Sequence, residues 1–237
     1  MKNFWTYGEL PMGLYPPNSE TQFSSRDLDN ENHFRTLKPS NRWSADSFTY
    51  KFNSHGFRSR EFDINRKEPL LLAFGCSHTS GVGVPVEDNW PEQLGSKYFP
   101  NHVVYNAGQG GGSCDTVARL AVNMIPILKP DIVTILWPNL NRFESYDGLE
   151  EPEFHGPWSF DVFATDNEAY NKQQKNKVIL DLLQEIYKFT LLSLDMESMP
   201  SFFNDNRFTC GRDQQHNGPD WHEWVSKEFY SQYLKTK

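Results

Sequence analysis

The chain has 237 residues, with 31 acidic side chains against 23 basic ones and a formal charge of −8. That length can bury a core without metal or disulfide support, and the acidic balance leaves no basic footprint for nucleic acid. The three scattered cysteines, Cys76, Cys114 and Cys210, make no disulfide framework and fit a reducing compartment. No apolar run approaches the ~18–20 residues of a membrane span. The opening "MKNFWTYGELPMGLYPPNSE" lacks the apolar centre of a secretory leader. The expected setting is therefore cytoplasmic.

Residues 1–66 are polar and rich in Pro, Asn and Ser. They read as an irregular N-terminal appendage with a short strand pair, packed on a main α/β domain of residues 67–237. Within the appendage, "SFTYKFNSHGF" alternates Phe48, Tyr50 and Phe52 with polar residues, a half-buried strand pattern, and Asn53 to Gly56 then reads as a turn. From residue 68 the pattern changes. "PLLLAFG", "VVYNAG" and "DIVTILW" are short apolar runs of buried strands, and "FTLLSLDM" is a fourth. Between them lie helical stretches. "DNWPEQLGSKYF" has Asp88 or Asn89 as its cap, "SCDTVARLAVNMIPIL" has Ser113, and "NEAYNKQQKNKVILDLLQEIYKF" is long. "SFFND" reads as part of a fifth element or a loop, and "GPDWHEWVSKEFYSQYL" as a closing helix. Alternating strands and helices predict a three-layer α/β/α sandwich with a short parallel, flavodoxin-like sheet.

In such sheets ligands bind beyond the carboxyl ends of the strands. The residues there are Gly75-Cys76-Ser77-His78 after the first strand, Asn106-Ala107-Gly108-Gln109 after the second, and Trp137-Pro138-Asn139 after the third, with Asp213-Gln214-Gln215-His216 before the last helix. A serine hydroxyl becomes a nucleophile when an imidazole takes its proton, and an acid partner orients that imidazole. Asp213 and His216 are close enough in sequence to share one turn facing Ser77. The N–H groups of Ser77 and Gly108 and the amide of Asn139 are the candidate oxyanion donors. Taken singly, each residue has a plainer role: a capping serine, a turn glycine, a turn asparagine, a loop carboxylate, a solvated histidine.

With "GCSHT", "NAGQGG", "WPNL" and "DQQHNGPDWH" in this order, residues 69–237 resemble the SGNH hydrolases, the GDSL esterase superfamily. "FNSHGFRSREF" also resembles segments upstream of the first block in some members. The chain departs from the family pattern at Cys76, Trp137 and Leu140, and Asn141 competes with Asn139 for the amide role. The resemblance implies a serine esterase with Ser77, His216 and Asp213 as a triad acting through an acyl-enzyme. The substrate would be a small-molecule or carbohydrate ester, such as an O-acetyl group on a sugar, and no cofactor is implied. A non-catalytic binding module on the same fold and an acyltransferase using the same triad are the competing readings.

Other features carry less. Cys210, His216 and His222 match no common zinc spacing. "GQGGGS" and "GCSHTSGVG" fit neither a dinucleotide nor a phosphate loop. His78 reads as packing or substrate contact, and His222 as partly solvated. The acidic loop "NRFESYDGLEEPEFHGPWSFDVF" offers Phe143, Tyr146, Phe154, Trp158, Phe160 and Phe163, as loop anchors or as sugar-stacking rings.

Overall fold

The computed structural model describes residues 8–24, 28–37, 43–146, 152–159 and 165–237. Among these, the run Leu70–Phe74 forms the central strand β3, preceded by β1 (Glu20–Thr21), α1 (Glu31–Thr36) and β2 (Tyr50–Lys51). After it come α2 (Ser77–Ser80), α3 (Trp90–Tyr98), β4 (Val103–Asn106), α4 (Cys114–Leu128) and β5 (Ile132–Trp137). A hairpin of β6 (Phe143–Ser145) and β7 (Glu153–His155) precedes α5 (Asp166–Tyr187), β8 (Thr190–Asp195) and α6 (Pro219–Lys235).

Strands β4, β3, β5 and β8 lie in that order in one parallel sheet. The apolar run of β3 does not alternate with polar residues because both of its faces are covered. Leu70, Leu72 and Phe74 pack with Val117, Leu120 and Met124 of α4 and Leu180 and Leu183 of α5. Leu71 and Ala73 pack on the opposite side with Leu94 of α3 and Trp221, Val225 and Phe229 of α6. The result is the three-layer α/β/α arrangement. Strand β4 adds to one side of β3 and β5 to the other, so the order reverses at the carboxyl end of β3. In open α/β sheets ligands bind beside such a reversal of strand order.

Local signals account for the helix starts. Ser113 accepts hydrogen bonds from Asp115 N and Thr116 N, and Thr165 and Glu168 make a reciprocal cap on α5. Asn89 stands at the N-cap position of α3 but its side chain makes no cap hydrogen bond. Its Nδ2 donates instead to Thr79 O at 2.7 Å, tying α3 to α2.

Nearer the N-terminus, β1 and β2 pair antiparallel over two residues each. The alternation expected around Tyr50 survives as burial: Tyr50 and Phe52 are buried and Lys51 is exposed. The Asn53 turn is present, with Gly56 N donating to Asn53 O and Asn53 Oδ1 accepting from His55 N and Phe57 N. Phe57 and Phe62 join the core on the α4 side of the sheet. "SFFND" is a series of turns without a strand. Of the loop rings, Phe143 stacks on His155, Tyr146 and Trp158 are exposed, and Phe160 and Phe163 lie outside the described residues. No helix among the described residues is long and apolar enough to cross a membrane.

Candidate active site

The chain turns sharply after β3. A Cβ on Gly75 would collide with the Thr79 side chain and sit 2.8 Å from Leu136 O, so only glycine fits. Cys76 takes the cap position of α2 without a side-chain cap bond, and Ser77 opens the helix. The Ser77 hydroxyl is thus not spent on capping. It lies 2.8 Å from His216 Nε2.

The acid–imidazole turn is built by a tight reversal. Cys210 and Asn217 bridge antiparallel, Gly211 N donates to His216 O at 2.7 Å, and Gln214 takes a left-handed φ of 55°. Asp213 Oδ1 accepts from Gln215 N (3.1 Å) and His216 N (3.0 Å), which folds the carboxylate back over its own turn. Asp213 Oδ2 then meets His216 Nδ1 at 2.5 Å. Asp213 is fully buried, and Ser77 and His216 are 2% and 6% exposed. Burial pushes the Asp213 carboxyl up, but the His216 imidazole and the two N–H groups pull harder and hold it below its ordinary value. An ionised Asp213 accepts a hydrogen bond from Nδ1–H, which leaves the Nε2 lone pair facing Ser77.

The supports of this turn come from the other end of the chain. Arg212 is 1% exposed and ion-paired to Asp29 at 2.9 Å. It also donates to Ala45 O, Phe48 O and Gln22 O. Tyr50 donates its hydroxyl proton to Asp29 and accepts from Gly83 N at 2.9 Å. Arg58 donates to Gly81 O and to Val84 O, fixing the chain just after α2. His33 Nε2 lies 3.0 Å from Asp213 O. Sequence reading missed Asp29, Tyr50, Arg58 and Arg212. Tyr50 and Arg58 stand near aromatics in the sequence, whereas Asp29 and Arg212 carry no local signal.

His78 and His222 are packed behind the site. The His78 ring lies 4.9 Å from that of His216 and 5.1 Å from Trp221. Phe202 N donates to Asn217 Oδ1, so Asn217 Nδ2 faces His78 Nε2 at 3.1 Å. Nε2 must therefore accept, and the His78 proton sits on Nδ1. Burial, then the neighbouring His216, His222 and Arg142, hold His78 well below its ordinary value. His222 is fully buried rather than partly solvated, because it receives Trp90 N–H on Nδ1 at 3.2 Å. Burial pushes it down to about 3.

The expected oxyanion donors fare unequally. Ser77 N heads α2, where first-turn N–H groups have no partner within the helix. Gly108 N is engaged by Asn106 Oδ1 at 2.9 Å, while Asn106 Nδ2 holds Thr79 O at 2.7 Å. The Gly108 N–H expected as an oxyanion donor is therefore already engaged within the chain. A glycine stands there because a Cβ would lie 2.7 Å from the Thr79 carbonyl carbon. Asn139 follows β5 at the same sheet edge and is partly buried, whereas the competing Asn141 is exposed. Among the described residues no three His, Cys, Asp or Glu side chains gather as a metal site.

No family model matches the chain, and no curated protein matches it. Solved structures do. One is a protein placed in the G-D-S-L lipolytic family from Desulfitobacterium hafniense DCB-2, 17% identical over 67% of this chain and 72% of that one, with a TM-score of 0.36. A lipase/acylhydrolase from Enterococcus faecalis is 14% identical over 67% of this chain and 92% of that one, with a TM-score of 0.38. A carbohydrate acetylesterase family member from Sinorhizobium meliloti is 14% identical over 67% of this chain and 94% of that one, with a TM-score of 0.35.

Proposed function

We propose that this chain is a serine esterase that hydrolyses a carboxylic ester through an acyl-enzyme. The observation that carries the reading is the buried line from Ser77 Oγ to His216 Nε2 (2.8 Å) and from His216 Nδ1 to Asp213 Oδ2 (2.5 Å). Ser77 attacks the ester carbonyl while His216 Nε2 takes its proton. The same nitrogen then delivers that proton to the departing alcohol. Asp213 fixes the tautomer and stabilises the imidazolium. Ser77 N–H and the Asn139 amide stabilise the oxyanion, with Gly108 N–H joining them once it releases Asn106. Water, activated by His216, frees the acyl group. A small acyl group such as acetate on a sugar suits the resemblance and the rings of Tyr146 and Trp158, each nearly half exposed.

Turnover of p-nitrophenyl acetate and labelling by a fluorophosphonate test the reading. Ser77→Ala should lower the rate by ~10³-fold or more and abolish labelling with the fold intact. Undiminished turnover in that variant refutes the nucleophile. A wild-type Ser77 inert to the probe favours a binding module.

A further inference from the structure

Fifteen buried side-chain nitrogen and oxygen atoms lack a hydrogen-bond partner among the described residues, and seven of them sit at the last residue of β5 or in the segments just after β3, β4 and β5. They are His78 Nδ1, Thr79 Oγ1, both amide atoms of Gln109, Trp137 Nε1, and Nε and Nη1 of Arg142. A buried donor without an acceptor costs ~1–3 kcal/mol, and more if charged. A fold that concentrates such groups at one edge is arranged for a polar ligand.

Arg142 is the charged member of the set. It has no carboxylate within ion-pair distance among the described residues, in a chain with an excess of acids. Its N–H donates to Asn139 O at 3.3 Å, which fixes it to the end of β5. Its guanidinium lies 5.4 Å from the ring centre of Trp158. The Trp158 ring in turn comes within 3.9 Å of where a Cβ on Gly111 would stand, in the segment after β4. Strand β3 lies between β4 and β5. The Arg142–Trp158 pair is therefore anchored on both sides of the strand that delivers Ser77. His78, whose Nδ1–H is with the Thr79 hydroxyl one of two unpartnered buried donors on the Ser77 helix, feels the Arg142 charge. Both two-pronged edges of a guanidinium include Nη2 together with one of the two buried, unpartnered nitrogens.

We propose that Arg142 is the anion-binding residue of this site and that its preferred substrate is an ester carrying a carboxylate, held by the guanidinium beside the Trp158 ring. The substrate class rests on the esterase reading above. The anion site itself does not.

Two matched pairs test it: mono-p-nitrophenyl glutarate against p-nitrophenyl valerate, and 4-acetoxybenzoate against its methyl ester. In at least one pair the wild-type protein should prefer the carboxylate by about tenfold or more in kcat/KM. That ratio should fall about tenfold in Arg142→Gln and recover in part in Arg142→Lys. No preference in either pair, or a preference that survives Arg142→Gln, overturns the proposal. Should Arg142→Gln melt early, the fall in the ratio from wild type to Arg142→Lys carries the same comparison. Calorimetry of glutarate and 4-acetoxybenzoate on Ser77→Ala gives a readout free of turnover. Saturable binding that weakens about tenfold in Ser77→Ala/Arg142→Gln supports the anion site even if no ester is hydrolysed, in which case only the esterase reading falls. Absent binding, or binding indifferent to Arg142, removes the anion site whatever the turnover.

Discussion

Arg212, beside the Asp213–His216 turn, and Arg142, just after β5, are treated in opposite ways. Arg212 is almost wholly buried and every nitrogen of its guanidinium has an acceptor, two of them on the Asp29 carboxylate. Arg142 is partly exposed and keeps two buried nitrogens without any. The first cation is saturated by its own chain and acts as scaffold. The second retains its hydrogen-bonding capacity, which is what recognition of something outside the chain requires. Satisfaction of donors, more than burial or charge, separates the two roles.

The largest effect should come from breaking the saturated pair. Asp29→Ala leaves Arg212 buried and uncompensated, and denaturant unfolding should show a loss of about 3–5 kcal/mol. A loss below ~1 kcal/mol would put Arg212 in the same class as Arg142. A double-mutant cycle of Asp29→Leu and Arg212→Met sharpens the contrast. The pair should be markedly less damaging than the sum of the singles, with a coupling of about 2–3 kcal/mol.

Acid should act next. His78 and His222 are held neutral in the fold, below their ordinary values, and recover those values on unfolding. The unfolded chain therefore binds more protons below pH ~6.5, and stability declines as pH falls through that value by about 1.4 kcal/mol per pH unit for each proton. Asp213, whose carboxyl is depressed, adds its contribution above the ordinary carboxylate range and loses it only at lower pH. Melting temperatures from pH 7.5 to 4.5 report this. A flat response between 7 and 5 contradicts the burial of the two histidines. Since burial holds both neutral below their ordinary values, the acid limb of kcat/KM should have unit slope, that of a single proton on His216. The smallest effect belongs to Arg142→Met. Removing unsatisfied buried donors should leave stability within about 1 kcal/mol of wild type or raise it. A loss comparable to that of Asp29→Ala would abolish the distinction.

Much of the sheet was legible because its strands are short apolar runs with both faces covered, and Ser113 is a local cap visible three residues ahead of its partner. The pairing of Asp213 with His216 was legible for the same reason: their spacing fits one turn. What sequence could not give were contacts set by tertiary approach. Gly108 looked like a donor and serves at least to let Thr79 come close. Asn89 looked like a cap and spends its amide on α2. The β6–β7 hairpin is three residues per strand, too short for alternation to register. Asp29 and Arg212 stand 183 positions apart, where no periodic pattern can link them.

That separation has a consequence for how the protein comes to be made. The turn bearing Asp213 and His216 is clasped by residues from the first quarter of the chain, through His33 and through Asp29, which Tyr50 holds in turn. Contacts of such long range close late, since the loop entropy must be met before they add stability. A nascent chain emerging N-terminus first would hold Asp29 and Tyr50 in waiting, with Ser77 already synthesised, until the stretch bearing Asp213 and His216 is released.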